Sequence, residues 1–148
     1  MKQSNSRPDS GTPRLWALAE AQAAVPYLSS LARSLREHYL AILAKRREVQ
    51  LLTERHGRPG RKALIAEQEA RRGLHKAEQD YQGALDELSE LNVHPLDPGQ
   101  GVALVPFLQD DQPAWYVFDL FDSPPIRSWR YRSDPEATRR PLTAPQSC

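Results

Sequence analysis

The chain has 148 residues, 20 Lys and Arg against 19 Asp and Glu, a formal net charge of +1, and 39% hydrophobic residues. That balance gives no bulk attraction for a polyanion, and a low apolar fraction with 13 prolines, clustered at the two ends and in the last third, points to a modest core with disordered termini. A single cysteine, Cys148, leaves no disulfide framework or Cys-based metal site. No apolar run approaches the ~18 residues of a membrane helix, and Met1–Pro13 lacks an apolar signal core, so the cytoplasm is the expected compartment.

In chain order, residues 1–14 read as a disordered leader rich in Ser, Pro, Gly and Asn. An Ala-rich stretch predicts a short helix over 16–24. Pro26 then fits the first position of a new helix over 26–55, because a proline inside a helix costs ~3 kcal/mol. The loop His56–Lys62 contains Gly57, Pro59 and Gly60, and a second long helix follows over 63–91, with Asn92 as its C-terminal cap.

The two long helices mirror each other. Leu28, Leu35, Ile42 and Val49 recur every seven residues, and so do Ala63, Ala70, Ala77, Ala84 and Leu91. Folding back at the loop sets Val49 opposite Ala70, Ile42 opposite Ala77, Leu35 opposite Ala84 and Leu28 opposite Leu91. Large residues over alanines allow close helix approach.

The layers between these place Leu31 on Leu88, His38 on Tyr81, Lys45 on Leu74 and Leu52 on Glu67. His38 and Tyr81 are therefore expected to form a polar seam layer, sharing a hydrogen bond that fixes register rather than performing catalysis.

After Pro95 the period changes. Val102–Leu108, Trp115–Phe121 and Ile126–Tyr131 predict three short strands, with Gln109–Pro113 as a turn. Residues 133–148 are expected to form an extended or disordered tail. The domain is thus expected over 15–132, with the hairpin at 26–91 and the small sheet at 93–132.

Charge is segregated. Lys45–Lys76 holds ten Lys or Arg against four Asp or Glu, whereas Ala77–Ile126 holds no Lys or Arg against ten Asp or Glu. Lys45, Arg46, Arg47, Arg55, Arg58, Arg61 and Lys62 are the candidate polyanion contacts, since clustered cations gain affinity by releasing counterions. The simpler reading of the same cluster is a solvated helix face paired with acidic groups of a neighbouring chain. No aromatic residue lies among these cations to stack on single-stranded bases.

Motifs for other chemistry are missing: there is no phosphate-binding glycine loop, no His-Glu-x-x-His, no Gly-x-Ser-x-Gly and no Cys-x-x-Cys. The histidines His38, His56, His75 and His94 are scattered. No cofactor or metal is expected.

The stretch Trp16-Ala17-Leu18-Ala19-Glu20-Ala21-Gln22-Ala23-Ala24-Val25-Pro26 resembles the aromatic-Thr-Leu-Glu-Glu-Ala-Asn opening, leading to Leu-Pro, of a prokaryotic family catalogued as domain of unknown function 2203. Gly101-Val102-Ala103-Leu104-Val105-Pro106-Phe107 is similar to that family's Gly-Leu-Val-Asp-Phe-Pro strand, and Thr138-Arg139-Arg140-Pro141-Leu142 to its Gly-Arg-x-Pro-Leu close. Where the family has Trp-His-Glu this chain has Trp129-Arg130-Tyr131, and Val117-Phe118 stands near the place of its Cys-Trp. The resemblance implies a shared fold over about 15–142. It carries no activity, and any chemistry of the family's His and Glu would be lost here.

The expected class is α+β and predominantly helical: a long antiparallel two-helix hairpin, coiled-coil-like, followed by a small antiparallel β-sheet. The first functional expectation is a non-enzymatic interaction module that self-associates. Tyr39, Leu40, Leu43, Leu51 and Leu85 remain on outer faces for a homodimeric four-helix bundle. The alternatives are an RNA- or ribosome-associated protein using the basic hairpin tip, and a small-ligand enzyme with a pocket between hairpin base and sheet near Trp115, Trp129 and Arg130. No membrane partner is expected.

Overall fold

A computed structural model describes residues 14–54 and 57–142. Helix α1 (Leu18–Ala23) is followed after Ala24 alone by α2 (Val25–Thr53), and α3 (Arg61–Glu90) folds back to pack along α2. Pro26 sits in the first turn of α2, where its missing N–H breaks no helical bond. The first helix starts two residues later than expected because Trp16 is engaged elsewhere. Its backbone N–H donates to the Pro106 carbonyl (2.8 Å) and its indole N–H to the Leu91 carbonyl (3.1 Å), with the ring buried.

Asn92 closes α3 as anticipated. It takes a positive φ of 60°, its N–H donates to the Ser89 carbonyl (2.9 Å), and the Val93 N–H reaches back to the Leu88 carbonyl (3.0 Å). Leu88 and Val93 are both buried in the same cluster, which completes a Schellman ending.

The sheet has five antiparallel strands in the order β1 (His94–Asp97), β2 (Val102–Gln109), β3 (Gln112–Asp119), β4 (Ile126–Tyr131) and β5 (Arg140–Pro141). The β2–β3 connection is tighter than the five-residue turn expected. Gln109 pairs with Gln112 around Asp110 and Asp111, whose φ values of 53° and 64° give a two-residue hairpin turn.

Strand alternation sends Ala103, Val105, Phe107, Ala114, Tyr116, Phe118 and Ile126 into one core with Leu28, Leu31, Leu35, Ala84 and Leu88. Phe107 stacks on Tyr116 with ring centroids 3.8 Å apart, and Trp129 meets Phe107 edge-on at 5.9 Å. On the opposite face Val102, Leu104 and Val117 form a second, smaller cluster with Leu96 and Trp115.

The stretch from Ser133 is not a tail as far as it is described. Residues 132–139 loop out and return as β5, where Arg140 pairs with Trp129 and Pro141 with Ser128, and the Leu142 N–H donates to the Arg127 carbonyl (3.0 Å). A two-residue strand after an eight-residue loop carries too little pattern to be read in advance. The leader over 1–13, the remainder of the tail over 143–148, and Arg55 and His56 lie outside the described residues.

Candidate functional site

The hairpin forms an arm standing on the sheet. Arg36 fastens its base, its Nε donating to the Gly99 carbonyl (2.9 Å) while its guanidinium lies over the Phe121 ring at 5.2 Å. Tyr39 lies against Gly99 just beyond that anchor, and further out the buried residues of the arm are those of the seam. Ile42, Val49, Ala70 and Ala77 are buried, whereas the larger core that includes the sheet extends only to Leu35 and Ala84.

His38 and Tyr81 are both half-buried, but no hydrogen bond joins them among the described residues. Tyr81 instead meets the ring of Tyr39, with centroids 6.0 Å apart. Tyr39 lies one residue further along α2, about 100° around the helix, and this aromatic contact takes the place of the expected polar one. Burial first, and then Tyr39, push the Tyr81 hydroxyl pKa up. Lys45 lies across Gly73, its Cε and Nζ 3.4 Å from where a Cβ on that glycine would stand.

The outer side of α2 carries a second apolar row. Leu40, Leu43, Ala44 and Leu51 follow i, i+3, i+4 and i+11, with the charged Arg47 between them at i+7, on the side away from the buried Leu35, Ile42 and Val49. The three leucines of that row are 40–58% exposed. Tyr39 and Leu85, expected on the outside as well, are half-buried, and Leu85 packs against the main core. Leu64 and Ile65 on the first turns of α3 are also exposed, a feature the alanine periodicity of α3 did not mark.

The candidate polyanion contacts divide into paired and unpaired groups. Lys45 Nζ lies 3.5 Å from Glu48 and an Arg46 Nη lies 3.8 Å from Glu78. Arg47, Arg58, Arg61 and Lys62 are exposed and have no carboxylate partner among the described residues, and Arg55 lies outside those residues. Arg72, not singled out from the sequence, is exposed and unpaired in the same way.

The expected pocket of Trp115, Trp129 and Arg130 does not exist as one cleft. Trp115 is paired with Arg130 and Tyr116 with Trp129, so alternation puts Trp129 on the helix side of the sheet and the other two on the far side. Trp115 borders a cavity of about 350 Å³ with Leu15, Pro106, Leu108, Pro113 and Arg132, and its ring is flanked by His94 at 6.2 Å and the Arg132 guanidinium at 5.4 Å. Arg130 is only 6% exposed. Its Nη1 donates to the Tyr131 (3.3 Å) and Asp134 (3.2 Å) carbonyls, and its Nε has no partner among the described residues.

Groups with displaced pKa values do not converge on any of these places. Glu20 is held low by the Arg14 guanidinium and Asp134 by Arg140, while burial raises Tyr27 and Tyr116. No three His, Cys, Asp or Glu among the described residues are grouped to hold a metal, and no described helix is long and apolar enough to cross a membrane.

A family of uncharacterised conserved proteins, DUF2203, has a sequence profile that matches residues 14–142, which spans the described fold from the Trp16 anchor to β5. The chain belongs to this family. No curated protein and no solved structure matches it. The DUF2203 match ends at Leu142, the residue whose N–H is bonded to Arg127, so the family unit includes the returning loop and β5.

Proposed function

We propose that this DUF2203 protein is a non-enzymatic interaction module whose arm pairs with a second copy of itself, side by side and antiparallel along α2. The observation that carries the reading is the exposed row of Leu40, Leu43 and Leu51 on the side of α2 away from the seam. Antiparallel pairing brings Leu40 of one copy over Leu51 of the other twice, by symmetry. It also points the basic Lys45–Lys76 ends of the two arms, each with ten cations against four acids, away from each other. Parallel pairing would set like charge on like.

Magnitude sets the expected affinity. Fully burying a leucine is worth ~1.5–3 kcal/mol, and about half remains available in each, so six leucines contribute on the order of 5–9 kcal/mol. Association costs roughly 4–15 kcal/mol, so the leucines leave at most about −5 kcal/mol, a dissociation constant of about 0.2 mM at the tightest.

Sedimentation velocity from about 10 μM to 1 mM, which brackets that constant, tests this. The expected result is a concentration-dependent shift from monomer to dimer that the double variant Leu43→Glu, Leu51→Glu removes while helical circular dichroism is retained. A monomer across the whole range overturns the reading.

A further inference from the structure

We propose that the loop before α3 and the outward face of its first turns form a contact for the phosphate backbone of double-helical nucleic acid. Four cations compose it: Arg58, Arg61, Lys62 and Arg72. All four are exposed and without a carboxylate partner among the described residues. Four other cations on the arm are paired. Arg71 lies 2.9 Å from Glu67, Lys76 lies 3.1 Å from Asp80, and Lys45 and Arg46 have the partners given above. Of the exposed cations on the arm without a carboxylate partner among the described residues, Arg33 and Arg47 lie on α2, and the other four gather in the loop before α3 and on α3.

Arg61 and Arg72 are eleven residues apart on one face of α3, about 16 Å along the axis. Arg61 and Lys62 also occupy the first turn of α3, which has no acidic residue and no side-chain cap. Cations there oppose the positive end of the helix dipole, an arrangement that phosphate oxygens would relieve. The contact is separate from the leucine row, which lies on α2 with Arg47. It stands independently of the pairing proposed above.

The ligand class follows from what surrounds the cations. From Leu40 to Asp80 there is no Phe, Tyr or Trp, so nothing offers a stacking platform for unpaired bases. Four exposed cations on a loop and one helix contact phosphates without reading base edges, so binding is independent of sequence.

Fluorescence anisotropy of the full chain with labelled 20-base-pair RNA and DNA duplexes, a labelled single strand, and phosphatidylserine vesicles in a parallel sedimentation arm tests the proposal. Duplex binding at 50 mM salt is expected to weaken with a slope of about −3 to −4 in log affinity against log salt. That is roughly a hundredfold loss by 200 mM.

The variant Arg61→Glu, Lys62→Glu, Arg72→Glu should lose at least tenfold in affinity. The smaller variant Arg61→Glu, Lys62→Glu should keep or raise the melting temperature, since acids suit a helix N-terminus, so its loss of binding is not unfolding. Leu43→Gln, Leu51→Gln, which removes the apolar row without adding negative charge near the loop, should bind duplex as the parent does, so failure of self-association and failure of this contact are read separately. No duplex binding at 50 mM salt, equal affinity in the charge-reversed variant, stronger binding to the single strand, or binding to vesicles but not duplex would each overturn it.

Discussion

Asp134 and Arg140 face each other across the returning loop in a two-pronged ion pair, Nε to Oδ2 at 2.9 Å and Nη2 to Oδ1 at 3.0 Å. The Tyr131 N–H donates to the same Oδ2 at 2.8 Å. Arg140 first, and then that backbone bond, hold the Asp134 carboxyl below the usual carboxylate range. A depressed folded pKa means the pair adds stability above the ordinary carboxylate value and loses it as pH falls through the lowered one. Melting temperature is therefore expected to be flat near neutrality and to drop on acidification below about pH 4. Asp134→Asn should lower the melting point at pH 7 and flatten part of the acid drop. A variant with the parent's full acid profile would show that the pair does not hold the loop. Glu20, held low by Arg14, supplies a share of the acid sensitivity that this variant leaves in place.

Two glycines are expected to respond to alanine with opposite sign. Gly101 has a φ of +73°, and a Cβ there would stand 2.8 Å from the Leu120 Cβ, while the Leu120 N–H is tied to the Gly101 carbonyl at 2.9 Å. The neighbour cannot withdraw without giving up that bond, so Gly101→Ala should cost roughly 2–4 kcal/mol. Gly83 lies inside α3 with open space around it, and Gly83→Ala should add about 0.5–1 kcal/mol. Urea denaturation midpoints of the two variants are expected to move in opposite directions.

The alanine layers can be tested by filling them. Ala70 and Ala77 are buried under the facing helix in the outer part of the arm. Leucine at either position should cost about 1–3 kcal/mol by forcing α2 and α3 apart. Leu64→Ala, on the exposed side, should stay within about 0.5 kcal/mol of the parent. Denaturation followed by circular dichroism checks both. An unchanged midpoint for Ala77→Leu would mean the helices are not in close contact there.

The hairpin was legible because its signal is long. Seven-residue recurrence over some thirty residues, a loop with Gly57, Pro59 and Gly60, and Asn92 at the end leave little freedom. β2, β3 and β4 were also found near their true places, since each is a run of β-branched or aromatic residues. β1 escaped because His94-Pro95-Leu96-Asp97 is short and contains a proline, and β5 because Arg140-Pro141 has no period at all.

The three-residue pocket failed for a different reason. Trp129 and Arg130 are neighbours in sequence, and neighbours in a strand point to opposite faces. Of the basic tip, the residues could be named from sequence but their pairing could not. Arg46 with Glu78 is a contact between the two helices, and Arg72 became visible only when its neighbour Arg71 proved to be paired with Glu67.

The main core reaches only Leu35 and Ala84, so the outer arm is a cantilever. Opening a turn near Gly57–Gly60 breaks few buried contacts, whereas opening one near Leu28 disturbs the core shared with the sheet. Amide hydrogen exchange should therefore be graded along α2 and α3, fast at the free end and slow at the root. That gradient makes the arm its own recorder. A molecule gripping the free end would slow exchange where it is fastest and leave the sheet unchanged, whereas one lodged along α2 would slow a continuous band on that helix.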